Sequence, residues 1–460
     1  MKAFRAILVL AISAVLLPAA PARSEKSEKK GWIQVQLTGT PREMGRQHGR
    51  ILSAEIADGL KAIQTIIIHD TKRDWNFYRD AGKNILWPKV ETQYREELEG
   101  IAEGLKEKGS KLDLWDVVAL NGWMELAWYY VPAYNKKHGV PNPPAAVAPE
   151  HCSAFIATGK YTKNGKIVIA HNAWVDYAIG ERWNIIFDIQ PKDGMHMIMD
   201  GYPGLIHSGD DFGINTSGIV ISETTISGFQ GFDEKGIPEF VRARKALQYG
   251  KSIDEVVAIF KDGNNGGYAN TWLIGDNKTN EIARLELGLK NVTLERTRDG
   301  YYAGSNFPNN PKLLAEETVD FNPNDLSNSA MARKVRWEAI LEENKGSIDI
   351  KLAQRFMADG KDSFDKKDAP SERSLCGRID LSARGSAGWQ PPFGPAGAVQ
   401  NKAADASMID RMALTAAYGP QCGPDFKAAD FLRAHPEFNY QKDVLKDMPS
   451  QPWVEFKSIR

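Results

Sequence analysis

Apolar residues recur at helical spacing in the part of the chain that follows residue 40. Thr40-Pro41-Arg42-Glu43 has the form of a capping box with proline at the first helical position. It predicts a helix that continues through Ile51, Ile56, Leu60 and Ile63. Two more helices are predicted, one by apolar residues at three- and four-residue spacing and one after Asp113: Val90 to Leu105, and Leu114 to Tyr129. The pattern therefore predicts a helical N-terminal unit.

The pattern changes at residues 132–149, which contain five prolines and little periodicity and are predicted to form an exposed linker. Short apolar runs follow, separated by Gly, Asn and Asp, and they predict a mainly antiparallel sheet system. The predicted strands are 154–158, 167–170, 183–189, 195–199, 218–223, 271–274, 282–287 and 292–296. The predicted helices among and after them are 238–249, 253–260, 331–343 and 348–357. This order predicts an α+β fold, with residues 382–423 left unassigned.

The first 22 residues have the pattern of a secretory signal. Lys2 and Arg5 precede an apolar stretch from Ile7 to Leu17, and Ala20-Pro21-Ala22 has the form of a cleavage site. No later segment approaches about 18 uninterrupted apolar residues, so stable membrane insertion is not expected. The sequence predicts a secreted or periplasmic protein whose mature chain begins near Arg23.

Net charge limits the classes of partner, and chain length indicates the number of structural units. The chain has 58 basic and 59 acidic side chains, a formal charge of -1, which does not favour nucleic acid or an anionic surface. The mature chain exceeds the ~250–300 residues at which one core usually stops growing. We therefore expect two structural units or one large elaborated domain.

The cysteines number three, which leaves at least one thiol unpaired if the others form a disulfide. Cys376 and Cys422 both lie in Gly/Pro-rich sequence and are the expected pair, so Cys152 is the expected free thiol. The alternative is that all three are small buried residues without chemistry.

Cys152 stands at the head of a predicted strand, directly after the proline-rich linker, where the His151–Cys152 bond would be accessible to cleavage. Cleavage there would give the cysteine a free α-amine with an ordinary pKa of about 7.7–8.0, able to accept the thiol proton. The thiolate could then attack an amide or ester carbonyl and form a thioester that water hydrolyses. His171 ends the next apolar run and is a candidate neighbour of the sulfur.

Seven short blocks follow one another along the chain: Cys152-Ser153-Ala154, His171-Asn172-Ala173-Trp174, Tyr202-Pro203-Gly204, Ser208-Gly209-Asp210-Asp211-Phe212, Ser217-Gly218, Glu223-Thr224-Thr225 and Asn270-Thr271-Trp272. This ordered set resembles the phospholipase B-like family of N-terminal nucleophile hydrolases. Gly45-x-Gln47-x-Gly49 and the first cysteine block are also similar to the penicillin acyltransferase-like branch of that superfamily.

The resemblance implies an αββα sandwich, self-cleavage before Cys152, and hydrolysis of amide or ester bonds in small acylated or phospholipid-like substrates without a cofactor. The chain is accordingly divided into a signal peptide (1–22), a helical segment with its linker (23–151) and a catalytic domain (152–460).

Each motif residue receives a role by the same resemblance. Cys152 is the nucleophile, His171 and Trp174 line the pocket beside it, Thr224 or Thr225 lies near the sulfur, and Asn270 is the oxyanion donor. An arginine is also implied, with Arg284, Arg296 and Arg298 as open candidates.

Other interpretations of these residues remain open at this point. His171 and Trp174 are also compatible with a purely structural role in the core. Asp210-Asp211 is interpreted as a turn in which one carboxylate caps backbone amides, and no metal site is expected. Alternative functions are an acyltransferase or amidase of the same superfamily, an intact Cys-His protease with His171 as base, and a non-enzymatic exported binding protein.

Overall fold

Two β-sheets lie face to face at the centre of the protein. The structure is a computed structural model that describes residues 26–143, 152–210, 212–383 and 393–459. In this part of the chain, one sheet has nine strands in the order β1-β2-β5-β6-β7-β8-β9-β10-β11, the other has six in the order β12-β3-β4-β15-β16-β17, and β13 pairs with β14. The strands are β1 Lys26–Lys29, β2 Trp32–Gly39, β3 Cys152–Thr158, β4 Val168–Asp176, β5 Ile185–Pro191, β6 Met197–Gly201, β7 Gly213–Asn215, β8 Ile219–Thr225, β9 Asn270–Asp276, β10 Glu281–Leu287, β11 Val292–Thr297, β12 Gly300–Gly304, β13 Lys361–Asp362, β14 Lys367–Asp368, β15 Ala396–Asp405, β16 Ala413–Tyr418 and β17 Val454–Lys457.

Helices cover both outer faces of this sandwich. The helices α9 and α10 pack on β7 to β10 of the larger sheet, and α12 and α13 pack on β12, β4 and β15 of the smaller sheet. The predicted α+β class and αββα layering are thereby confirmed. The helices are α1 Pro41–Ile51, α2 Ser53–Thr71, α3 Trp75–Ala81, α4 Thr92–Glu107, α5 Leu114–Asn121, α6 Trp123–Glu125, α7 Val131–Lys137, α8 Tyr177–Gly180, α9 Glu239–Tyr249, α10 Ile253–Lys261, α11 Pro311–Glu317, α12 Ser329–Glu343, α13 Ile350–Met357, α14 Ala406–Asp410 and α15 Ala428–Ala434.

Strand β3 shows how the sequence builds two cores from one apolar run. Ala154 and Ile156 belong to the large core between the sheets, whereas Phe155 and Ala157 belong to a second core under α12 and α13. Successive side chains of a strand point to opposite faces, so a run buried on both faces has no polar alternation. By the same alternation Cys152 shares the face of Ala154, which is directed towards the larger sheet.

The residues before Cys152 form helices and also two strands. The capping box at Thr40 is confirmed, and the predicted continuous helix is interrupted at the buried Leu52. Strand β1 pairs with β2, and β2 pairs in parallel with β5, so this segment completes the nine-stranded sheet. The prediction of a purely helical segment omitted these strands, because their partner β5 lies about 150 residues away along the sequence.

The start of the predicted linker is helical instead. Val131–Lys137 forms α7, which continues directly from a wider helical turn at Leu126–Tyr130. Residues 144–151, including His151, lie outside the described residues, as do residues 1–22.

The unassigned C-terminal stretch supplies β15 and β16, two central strands of the smaller sheet. The predicted disulfide between Cys376 and Cys422 is present, and Cys152 is the free cysteine, which confirms that prediction. Among the described residues, no helix has the length and apolar content that a bilayer crossing requires.

Candidate active site

Cys152 is the first residue of β3, and both polar groups of its backbone are held by side chains. Its backbone N–H donates to Asn306 Oδ1 at 3.2 Å, and its carbonyl oxygen accepts from Arg333 Nη1 at 2.6 Å. The residue is 2% exposed. The position of the thiol is thus determined by β12–β3 pairing on one side and by α12 on the other.

The sulfur lies against a network of polar side chains. The Cys152 thiol donates to Glu223 Oε1 at 3.7 Å, and Tyr268 OH donates to the same oxygen at 3.1 Å. Thr225 Oγ1 donates to Tyr268 OH at 2.9 Å. Oriented so that both ends of its amide are satisfied, Asn270 donates to Glu223 Oε2 at 2.8 Å. Glu223 therefore connects Asn270 and Thr225 to the sulfur.

His171 lies beside the same sulfur. A ring nitrogen of His171, Cys152 Sγ and a carboxylate oxygen of Glu223 all lie within 4.8 Å of one another, and all three residues are buried. The pairing of β3 with β4 places His171 opposite Ala154, on the Cys152 side of the strand. The structure therefore brings together His171, Cys152 and Asn270, which are far apart in sequence.

Burial determines the charge state of the thiol and the imidazole. Burial raises the pKa of Cys152 well above its ordinary value, with Glu223 and Asp210 adding to the rise. Burial also lowers the pKa of His171 well below its ordinary value, and Lys402 lowers it further. At neutral pH the uncleaved chain therefore holds a neutral thiol beside a neutral imidazole.

Arg333 of α12 is a site residue that the sequence analysis missed. It is fully buried, donates from Nη2 to Asn306 Oδ1 at 3.0 Å as well as to Cys152, and lies 4.2 Å from the centroid of the Trp174 ring. Trp174 thus supports the arginine with its ring, and its indole N–H donates to Asn172 Oδ1 at 2.9 Å. The open candidates pair elsewhere, Arg284 with Glu295 and both Arg296 and Arg298 with Glu281.

The missed residues left only weak signals in the sequence. Arg333 shares a helical stripe with Trp337 and Leu341, so an arginine interrupts an apolar face. Glu223 belongs to the block Glu223-Thr224-Thr225, in which only the threonines were given a role, and Asn306 and Tyr268 lie outside every block. A buried arginine or glutamate on an apolar element is the pattern that would have indicated them.

The two threonines occupy different surroundings. Thr225 reaches Tyr268, as described above. Thr224 Oγ1 is buried without a hydrogen-bond partner among the described residues, and a Cβ added at Gly304 would meet it. Because Gly304 pairs with Ala154, Thr224 also lies near the head of β3.

A buried ion cluster lies behind His171. Lys402 Nζ is 2.9 Å from Asp200 Oδ2 and also pairs with Asp210 Oδ2. Ser208 Oγ lies 2.8 Å from Asp200 Oδ1 and 2.9 Å from Asp210 Oδ1, so its single proton can be donated to either carboxylate. The carboxylate of Asp210 neutralises a buried lysine, and the interpretation of Asp210-Asp211 as a turn with one capping carboxylate stays a prediction. Asp211 lies outside the described residues.

An aromatic cavity of about 410 Å³ lies next to this network. The ring of Tyr129 in its wall is 6.3 Å from the ring of Tyr268, whose hydroxyl contacts Glu223. Two lysines, Lys136 and Lys137, also line the cavity. The remaining lining residues are Trp128, Pro132, Ala133, Asn142, Phe229, Gln230 and Gly231.

The sequence is similar to proteins of a known family. A sequence model of the family Phospholipase B matches residues 69–452. Phospholipase B-like 1 from Homo sapiens is 26% identical over 301 residues, which are 59% of this chain and 52% of the human protein. Phospholipase-B 81 from Drysdalia coronoides is 30% identical over 299 residues, 59% of this chain and 52% of that protein. The chain spans about half the length of these curated relatives.

Among solved structures, a similar chain is that of a mutant conjugated bile acid hydrolase from Clostridium perfringens. It has a TM-score of 0.32 and 13% sequence identity, and the match covers 57% of this chain and 88% of that chain.

Proposed function

The chain belongs to the phospholipase B family, and from that premise and the surroundings of Cys152 we propose that it is an exported cysteine hydrolase of the N-terminal nucleophile type. Cleavage between His151 and Cys152 generates the nucleophile. The enzyme then cleaves an amide or ester bond of a small acylated or lipid-like substrate through a thioester.

One observation carries this proposal: the free thiol is the first residue of a buried strand, with donors and acceptors arranged around it. Asn306 and Arg333 hold the backbone on either side of the sulfur. An ordinary structural cysteine needs no such support, because it packs as a small apolar residue. A nucleophile does need it, because a misplacement of about 1 Å can cost about 100-fold in rate.

In the proposed reaction, the new α-amine of Cys152 accepts the thiol proton, and the thiolate attacks the substrate carbonyl carbon. The tetrahedral intermediate collapses when the amine or alcohol leaves with a proton, and the acyl group remains on the sulfur. Water then attacks the thioester and releases the carboxylic acid and the thiol. The amide of Asn270, which donates to Glu223 and Ala269 in the uncleaved chain, turns a donor to the oxyanion when substrate binds, a role worth about 2.7–4 kcal/mol of transition-state stabilisation in other hydrolases.

The aromatic cavity supports an acylated substrate. Trp128, Tyr129 and Phe229 offer apolar surface for an acyl chain, and Lys136 and Lys137 offer positive charge for an anionic group. Ester hydrolysis, amide hydrolysis and acyl transfer to an amine share the same thioester. The leaving group distinguishes the two hydrolyses, and the acceptor that attacks the thioester distinguishes transfer from hydrolysis. The disulfide supports export, because disulfides persist in oxidising compartments.

Mass spectrometry of the purified mature protein tests the proposal. We expect two polypeptides, one of which begins at Cys152, and hydrolysis of members of a panel of acyl amides and phospholipids. Cys152→Ala should give one uncut, inactive chain with an unchanged melting temperature. A wild-type chain that is fully active but uncut would contradict the proposal and favour the intact Cys-His mechanism with His171 as base. Cut but inactive protein on every substrate would favour a binding protein.

A further inference from the structure

Cys152, His171 and Glu223 have the composition of a transition-metal site, although no motif in the sequence indicates one. We infer that these three side chains bind a single Zn²⁺ ion, and that the bound ion inhibits the enzyme by occupying its sulfur. The inhibition rests on the proposed function, whereas the binding of the ion does not.

The distances suit a tetrahedral ion. With Zn–S bonds of about 2.3 Å and Zn–O bonds of about 2.1 Å, a tetrahedral angle separates sulfur and oxygen by about 3.6 Å. Cys152 Sγ and Glu223 Oε1 are 3.7 Å apart. The ring nitrogen of His171 completes a set in which all ligand atoms lie within 4.8 Å of one another, so small rotations of the imidazole would bring it into range.

His171 provides an independent indication of a ligand. Its side chain is fully buried, and neither ring nitrogen makes a hydrogen bond of normal geometry within the described residues. The backbone of Glu223 approaches the ring without meeting the geometry of a hydrogen bond. A buried imidazole without good partners loses the hydrogen bonds that water would supply. Coordination of a metal ion by one ring nitrogen would compensate for that loss.

The surrounding residues would orient the ligands. Tyr268 and Asn270 hold the two oxygens of Glu223, as the outer partners of metal-binding carboxylates commonly do. Sulfur, imidazole nitrogen and one carboxylate favour Zn²⁺ over Ca²⁺ or Mg²⁺, which prefer oxygen ligands alone. Coordination converts the Cys152 thiol into a thiolate and releases its proton to solvent, with no change in oxidation state. The fourth position remains for a water molecule.

The aromatic cavity lies close to the proposed metal site. Tyr268, whose hydroxyl contacts Glu223, also packs against Tyr129 in the wall of that cavity. Once the ion is bound, the sulfur lone pairs are engaged by the metal, and attack on a carbonyl is blocked.

Calorimetry with Zn²⁺ and absorption spectroscopy with Co²⁺ test the binding on the whole protein. Because Cys376 and Cys422 are joined in a disulfide, a thiolate-to-cobalt charge-transfer band reports on Cys152. We expect one ion per chain and this band in the wild type. The band should be absent in Cys152→Ser, and Zn²⁺ affinity should fall by at least about 100-fold in Cys152→Ser and His171→Gln, since loss of an outer partner alone costs about 10–100-fold.

Two further variants control for misfolding and for non-specific binding of the ion. Tyr268→Phe keeps all three ligands and should weaken binding by about 10–100-fold. His196→Gln is the matched control, because His196 pairs with Asp188 and contacts none of the three proposed ligands, so its loss should leave affinity unchanged. Binding that persists in Cys152→Ser, or that His196→Gln weakens, would overturn the inference.

Activity measurements separate this inference from the proposed function. Hydrolysis should stop when Zn²⁺ saturates the site and return when a chelator removes the ion. Activity that a chelator abolishes would overturn the inhibitory role and indicate a catalytic metal. Protein that gives the cobalt band with one ion per chain, yet hydrolyses nothing, would support the metal site and contradict the proposed function.

Discussion

Arg333 illustrates how much a single buried residue contributes to this site. Its guanidinium donates to Cys152 O and Asn306 Oδ1 at once, and its Nε donates to Ser329 Oγ at 3.1 Å. The planar guanidinium can satisfy several acceptors in fixed directions, which an ammonium group cannot do. Arg333 is therefore a positioning residue for the proposed nucleophile rather than a group that reacts.

The variant Arg333→Lys should separate positioning from folding. The single ammonium group of lysine cannot donate to Cys152 O and Asn306 Oδ1 in the directions that the planar guanidinium uses. We therefore expect self-cleavage to slow and kcat to fall about 100-fold with KM nearly unchanged. Steady-state kinetics and the cut fraction in mass spectra measure this. Arg336→Lys on the same helix, whose arginine pairs with Asp359, is the control and should stay within about twofold of wild type. Equal kcat in Arg333→Lys and Arg336→Lys would contradict the positioning role.

At the level of elements, α1 and α4 approach each other through glycines. A Cβ added at Gly45 or Gly49 of α1 would come within 3.0 Å of the backbone of α4, and one added at Gly100 or Gly104 of α4 would meet the backbone of α1 equally closely. The four positions form two small-residue pairs at four-residue spacing, which lets the helix backbones touch. The segment Gly45-x-Gln47-x-Gly49, quoted for its resemblance to acyltransferases, thus has a packing role here.

Gly45→Ala should destabilise the protein strongly, because the neighbouring atom is the backbone carbonyl of Glu97 and cannot rotate away. We expect the free energy of unfolding to fall by about 3 kcal/mol, at the upper end of ordinary overpacking. Urea denaturation measures the loss. In the control Gly360→Ala, the nearest atom is a side-chain carbon of Pro370 at 3.2 Å, and stability should stay within about 1 kcal/mol of wild type. Similar stability of Gly45→Ala and wild type would mean that the helices can separate at little cost.

At the level of the whole molecule, the residues before Cys152 are built into the same body as those after it. Strand β2 pairs with β5 from Ile33–Ile185 to Gly39–Pro191. Asn121 of α5 donates to Gly204 O at 2.9 Å and accepts from Ile206 N at 2.8 Å. Backbone N–H and C=O groups that form hydrogen bonds between the two segments would lose these partners if the segments separated.

If the chain is cut before Cys152, the two polypeptides should therefore remain associated. We expect them to co-elute in size-exclusion chromatography at the volume of the uncut Cys152→Ala chain, and to separate only in denaturant. Isolation of residues 152–460 alone as a folded, active species would contradict this expectation.

Local signals in the sequence were sufficient for most elements and for the free thiol. The capping box at Thr40, the helical spacing of α4 and the apolar runs of the sheets depend on neighbouring residues, so their predictions were confirmed. Cys152 and the Cys376–Cys422 pair were likewise recognisable from position and count.

Tertiary structure decided the features whose partners are distant in sequence. Arg333 meets Cys152 across 181 positions, and Lys402 meets Asp210 across 192. Strand β2 is too far from β5 in sequence for any local pattern to indicate their pairing. Periodicity shows which face of an element is buried, but the residue it faces depends on how the layers close. The sequence by itself thus determined the layers and the sulfur, while the closing of the layers decided which arginine, carboxylate and lysine surround it.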